Sequence, residues 1–205
     1  MKTNYAIEYE DLAALGLISD MMDQKDFETH QIIKDGLQRI QNPFFVEMMN
    51  RQQYQFADNI TPIGIAFYIT PYINAMTRSG TMEEKTLMFE AMLEWRSDEL
   101  IPSTKRGCKG QVEPRHEQAG RTCVNVKSRQ KRVQDANLEY VENLITEENL
   151  LEHKILIVRV PEDTVDKNLA GLIANQLAAK YARPTLILRK IETDIEAISI
   201  EFNVK

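Results

Sequence analysis

The chain has 205 residues, with 25 Lys and Arg against 31 Asp and Glu, a formal charge of −6 and 43% hydrophobic residues. That length and apolar share suit one large or two small domains with a sizeable core, and exclude a disordered chain. No run approaches the ~18 apolar residues of a membrane span, acids at Glu8, Glu10 and Asp11 stand where an export signal needs an apolar stretch, and two cysteines make no disulfide framework. The composition predicts a cytoplasmic protein with no membrane partner.

In chain order, Tyr9 to Met22 predicts a helix covered by Leu12, Leu15, Leu17 and Ile18, with Gly16 permitting close packing. Asp26 is placed to cap a second helix running to about Ile40, with Phe27, Ile32, Ile33, Leu37 and Ile40 at near-helical spacing. Asn42-Pro43 ends that helix and opens another, and Thr61-Pro62 repeats the logic, because Pro is tolerated in a first helical turn. Pro71 predicts an interruption followed by an irregular segment. Thr81, three residues before Glu84, forms a capping box ahead of a helix to about Trp95.

From Ile101 to Cys123, Pro102, Pro114 and three glycines without apolar periodicity predict a loop or insertion. A polar helix from about Val126 to Ile145, with Val133, Leu138, Val141 and Leu144 on one side, reads as a connector. The run from Lys154 to Val160 predicts a strand, Val165 to Tyr181 a helix, the stretch after Pro184 a second strand, and Ala197 to Phe202 a third. Strand, crossover helix and strand form a parallel βαβ unit. The expected class is α/β, divided as a helical part (1–100), a basic loop (101–124), a connecting helix (125–150) and an α/β part (151–205).

Between Ile101 and Gln134 nine bases face only Glu113 and Glu117, a net of +7 within a chain of −6. Such a block binds polyanions by releasing condensed counterions, or else is a solvated loop. Lys105, Arg106, Lys109, Arg129, Lys131 and Arg132 are its candidate nucleic-acid contacts, although no aromatic residue interleaves the bases to supply stacking. Cys108, His116 and Cys123 are one ligand short of a structural zinc site and lack paired-cysteine spacing. His30 and His153 stand beside no nucleophile, and there is no phosphate-binding glycine loop or nucleophile elbow.

Four segments carry a family resemblance. Asp11 to Asp23 (DLAALGLISDMMD) resembles the D-L-V-A-L-G-T-I-A-D segment of RecJ-type single-strand exonucleases. Ile69 to Arg78 (ITPYINAMTR) is similar to the family's A-P-R-I-N-A-A-G-R, and Asn125 to Val133 (NVKSRQKRV) to the Arg-Gln stretch of its interdomain helix. Leu169 to Leu188 (LAGLIANQLAAKYARPTLIL) resembles V-I-G-I-V-A-S-R-L-A-E-K-Y-G-R-P-T-I-V-L at the start of the DHH-associated domain. The order matches throughout.

The resemblance implies a DHH-superfamily phosphoesterase degrading single-stranded DNA from its 5′ end with two Mn²⁺ or Mg²⁺ ions, through in-line attack by a metal-activated water. It makes Asp20 a metal-binding aspartate, and Arg78 and Asn74 phosphate-facing residues. It further implies a helical C-terminal part of a DHH domain, a long connecting helix and a truncated DHH-associated domain. Tyr72 replaces the family's arginine, Met76-Thr77 replace Ala-Gly, and residues 165–168 (VDKN) replace Trp-His-x-Gly. The chain has no Asp-x-Asp, Asp-His-His or Gly-Gly-His motif. A two-metal centre needs several ligands and Asp20 supplies one.

The expectation is therefore the middle portion of a longer enzyme, binding no metal and inactive alone, that self-associates or joins a separately encoded N-terminal half. The rival readings are a non-catalytic module for single-strand binding or assembly, and a different DHH phosphoesterase acting on short oligonucleotides or cyclic dinucleotides.

Overall fold

The computed structural model describes residues 5–56, 59–190 and 195–201, which fall into two compact units, Met1–Lys127 and Ser128–Lys205. In the first, a 3-10 turn (Tyr5–Tyr9) leads into α1 (Glu10–Ser19), α2 (Phe27–Gln38), α3 (Pro43–Arg51), α4 (Gln53–Phe56), α5 (Pro62–Tyr68), α6 (Thr70–Ser79), α7 (Met82–Met92) and α8 (Glu94–Ser97). A hairpin of β1 (Leu100–Pro102) and β2 (Val112–Pro114) follows, and then α9 (Arg115–Glu147), whose first residues belong to this unit.

Local chemistry sets four of these helix starts. Asp26 accepts from the Thr29 N–H, Asn42 from Phe45, Thr61 from Gly64 and Thr81 from Glu84, each satisfying an amide that the first turn leaves without a partner. Thr81 and Glu84 complete the reciprocal box. The core gathers Leu15 and Ile18 of α1, Ile33 of α2, Phe44, Phe45 and Met48 of α3, Ile65, Ile69 and Met76, and Cys123 and Val126 of α9.

Four expectations change here. Residues 70–79 are helical, because Pro71 lies in the first turn of α6, where its missing N–H costs no hydrogen bond. Of the segment 101–123 only 103–111 is a loop: it joins an antiparallel hairpin, Leu100 opposite Pro114 and Pro102 opposite Val112, and α9 begins directly after Pro114. Gly16 packs against nothing within 4 Å. The tight approach is instead at Gly36 of α2, where a Cβ would stand 2.2 Å from the Glu10 carbonyl oxygen and 2.7 Å from the Ala14 Cβ. Phe27, read as part of an apolar helix face, is 80% exposed.

In the second unit the later part of α9 contributes Val141 and Ile145 to a core with Leu156, Val158, Ile173, Leu177 and Ile187. After a 3-10 turn (Leu150–Glu152) come β3 (Leu156–Pro161), α10 (Ala170–Tyr181), β4 (Thr185–Lys190) and β5 (Ile195–Glu201), in sheet order β3-β4-β5. β3 and β4 are parallel, Leu156 opposite Thr185, and β5 is antiparallel to β4. Along β3, Leu156, Val158 and Val160 are buried while Ile157 and Arg159 are exposed, the period-two signature of a strand with one covered face. The expected crossover helix is shorter than 165–181, starting at Ala170; Phe202, expected in the third strand, lies outside the described residues. None of the described helices is long and apolar enough to cross a membrane.

Candidate functional site

Asp20 ends α1. The Met21 N–H donates to the Ile18 carbonyl and the Met22 N–H to the Leu17 carbonyl, at 3.1 and 3.0 Å. This is the paired closure of a Schellman end, with Met21 at φ 53° in the left-handed position usually held by glycine. A methionine there costs about 1 kcal/mol of backbone strain. The arrangement leaves the Asp20 side chain exposed at the helix end. One residue earlier, the Ser19 and Thr70 hydroxyls are hydrogen-bonded at 3.1 Å, bringing the end of α1 to the start of α6. Two of the resembling segments thus meet in space.

The same helix carries a second aspartate with a different task. Asp11, only 2% exposed, accepts from the backbone N–H groups of Leu12 at 2.8 Å, Gln41 at 2.9 Å and Asn42 at 2.7 Å. The Asn42 side chain in turn donates to the Met92 carbonyl. Asp11 therefore ties α1 to the start of α3, and sequence reasoning did not single it out.

Asn74 lies half-buried one turn into α6 and Arg78 lies exposed a turn later. At 1.5 Å per residue, Arg78 is about 12 Å along the helix from Thr70. Ser19, the residue before Asp20, meets the beginning of α6, and Arg78 lies near that helix's far end. Among the described residues Arg78 makes no ion pair.

The basic block separates. Lys105, Arg106 and Lys109 lie in the loop joining β1 to β2, in the first unit, while Arg129, Lys131 and Arg132 lie on the part of α9 in the second. Several of its charges are spent internally. Arg115 is almost buried between Glu90 and Glu99, the latter at 2.6 Å, and also donates to the Arg96 carbonyl. Lys131 pairs with Asp135 at 2.6 Å. Glu113, 4% exposed, takes a two-pronged contact from Arg121 at 2.5 and 2.7 Å, Lys105 at 3.0 Å and the Thr104 N–H at 3.2 Å. The Arg121 guanidinium foremost, aided by Lys105, holds the Glu113 carboxyl down at about 2. Three of the six expected contacts thus belong to each unit, and Glu113, counted as a mere opposing charge, holds Lys105 among those of the first.

Cys123 is fully buried, and burial pushes its thiol up to about 12. His116 hydrogen-bonds the Ser97 carbonyl through Nδ1 at 3.1 Å and lies 3.2 Å from Asp98. No group of three or more His, Cys, Asp or Glu side chains is placed to hold a metal among the described residues. One exposed carboxylate at a helix end does not fit a two-metal centre, whose ions need several oxygen or imidazole ligands.

No protein-family model matches the chain. It is 36% identical over 190 residues to a protein of Bacillus subtilis (strain 168) named as an SPbeta prophage-derived single-strand DNA-specific exonuclease, YorK, and equally to the single-strand DNA-specific exonuclease yorK of Bacillus phage SPbeta. Each match takes in 92% of this chain and 32% of the relative, so the chain spans about one third of the length of these curated relatives. In fold it is similar to RecJ in complex with Mn²⁺ from Thermus thermophilus, with a TM-score of 0.64 and 19% identity over 89% of this chain and 24% of that one. A structure of exonuclease RecJ bound to manganese gives 0.63, again with 19% identity, over 89% of this chain and 40% of that one. Sequence relationship and fold thus agree: the chain is similar to one part of RecJ-type proteins, about a third of the length of these curated relatives.

Proposed function

We propose that the chain acts within a RecJ-type 5′-to-3′ exonuclease that hydrolyses single-stranded DNA, and that most of the metal ligands lie in polypeptide beyond these 205 residues. The supporting observation is the 36% identity, over nearly the whole chain, to proteins named single-strand DNA-specific exonucleases. On this reading residues 1–100 correspond to the helical C-terminal part of a DHH catalytic domain and 151–205 to part of the DHH-associated domain. The ions would activate the attacking water. From this chain, Asp20 offers one carboxylate at the end of α1, while Asn74 and Arg78 of α6 hold and orient DNA phosphates.

The test uses 5′-labelled single-stranded DNA and Mn²⁺. The chain alone is expected to release no nucleotides; mixed with the remaining polypeptide of YorK it should do so, and Asp20→Ala should remove the gain. Processive release by the chain alone would overturn the proposed division of ligands.

A second reading, an assembly module, is favoured by exposed apolar side chains in the first unit: Phe27 on α2 at 80%, Ile63 and Phe67 on α5 at 70% each. Faces of this kind associate with a partner, here a second copy or the separately encoded half. Sedimentation of the full chain as a monomer at high concentration, alone and with that half, would remove this reading.

A further inference from the structure

We propose that the tip of the β1–β2 hairpin is a preorganised grip for the phosphate backbone of single-stranded DNA, with Arg106 and Lys109 as its contacts. The inference rests on the single-strand reading above and assigns a contact which that reading lacks.

The tip is built rather than loose. Ser103 N–H donates to the Gln111 carbonyl at 2.9 Å, closing the loop at its base. Inside it, the Cys108 N–H donates to the Lys105 carbonyl at 3.1 Å and the Gln111 N–H to the Cys108 carbonyl at 3.0 Å, giving two successive turns. Gly107 and Gly110 sit at φ 85° and 84°, a conformation that side-chain-bearing residues adopt only with strain. Glu113 and Arg121 fix the near side: Arg121 also donates to the Thr104 hydroxyl at 3.0 Å, so both strand ends are anchored to α9.

This anchoring sorts the cations. Lys105 is turned back onto Glu113 and Glu117. Arg106 and Lys109 are exposed and make no ion pair among the described residues, so their charge is available to a polyanion. The strands beneath add an apolar side. The register puts Leu100, Pro102, Val112 and Pro114 on the face opposite Glu113, and Leu100 and Val112 are 62% and 58% exposed. Cations at the tip and apolar side chains below it match a single strand, whose phosphates and unstacked bases are both accessible. A duplex hides its bases from such a face.

The test is fluorescence anisotropy of a labelled oligo-dT, roughly 20 nucleotides long to exceed the site size of a single-strand groove, with the full chain, without divalent metal, over a range of salt. Arg106→Ala with Lys109→Ala is expected to weaken binding about tenfold at low salt and to reduce the slope of log affinity against log salt by about 1.4, two contacts at roughly 0.7 each. Lys131→Ala with Arg132→Ala serves as a comparison on α9. A second readout locates the contact: Cys108 is half-buried at the tip whereas Cys123 is fully buried, so Cys108 carries the accessible thiol. Saturating oligo-dT should slow its alkylation several-fold, and that protection should vanish in the Arg106, Lys109 double variant. The proposal fails if the chain does not bind oligo-dT at low salt, if the double variant keeps affinity and slope, if Cys108 stays unprotected, or if duplex DNA binds equally well. None of these outcomes depends on catalysis, so failure of the exonuclease reading and failure of the grip are separately visible.

Discussion

In residues 1–127 short helices are joined by polar anchors: Asp11 gathers three backbone N–H groups, Glu113 gathers Arg121, Lys105 and Thr104, and Arg115 is bracketed by Glu90 and Glu99. In residues 128–205 a strand-helix-strand unit closes around Leu156, Val158, Ile173, Leu177 and Ile187. The difference is one of backbone pairing. The helices before α9 share an apolar core but have no ladder between them, and buried carboxylates such as Asp11 add directional hydrogen bonds from one element to the next. A parallel βαβ unit takes its direction from the ladder and the crossover.

Substitutions can break this contrast at either end. Leu177→Ala, fully buried in α10, should lower stability by about 3 kcal/mol through lost contacts and a cavity, with little dependence on pH between about 3 and 7 in denaturant titrations. Glu113→Gln should cost about 2–3 kcal/mol at about pH 7, and its effect should depend on pH. The folded carboxyl titrates at about 2 against an ordinary 4.5, so its contribution is complete above about pH 5 and is lost as pH falls through about 2. The native chain should therefore weaken across that window, while the Gln variant should be flatter there. Met21→Gly should raise stability by about 1 kcal/mol, since only glycine takes φ 53° without strain. Thr81→Ala, removing one half of the capping box, should cost about 1 kcal/mol. Lys131→Ala should move stability by less than about 0.5 kcal/mol, because its pair with Asp135 is exposed; a larger loss would show that surface pairs matter along α9.

The parts of the fold legible from sequence are those decided within a few residues. Asp26, Asn42, Thr61 and Thr81 cap because a side-chain oxygen reaches an amide two or three positions on. β3, α10 and β4 declare themselves by apolar runs and the Arg183-Pro184 stop. The hairpin was hidden because strands of three residues have no periodicity, and their pairing partner lies about ten residues away. The start of α9 was hidden by the same charged stretch, whose Arg115 and Arg121 are internal ties rather than surface charges. Pro71 misled because a proline that starts a helix and one that ends it look alike without the preceding contacts. For the site, the segments around Asp20 and Asn74 were found by resemblance, but not their meeting through Ser19 and Thr70.

The glycine at position 36 has a consequence that reaches Asp20. It lets the backbone of α2 touch that of α1 at Glu10, the first residue of the helix whose far end carries Asp20. A methyl group there would pry up one end of a rod about 15 Å long and swing the other. A Gly36→Ala substitution would thus displace Asp20 from a distance, without touching it, and lower the melting temperature of the chain.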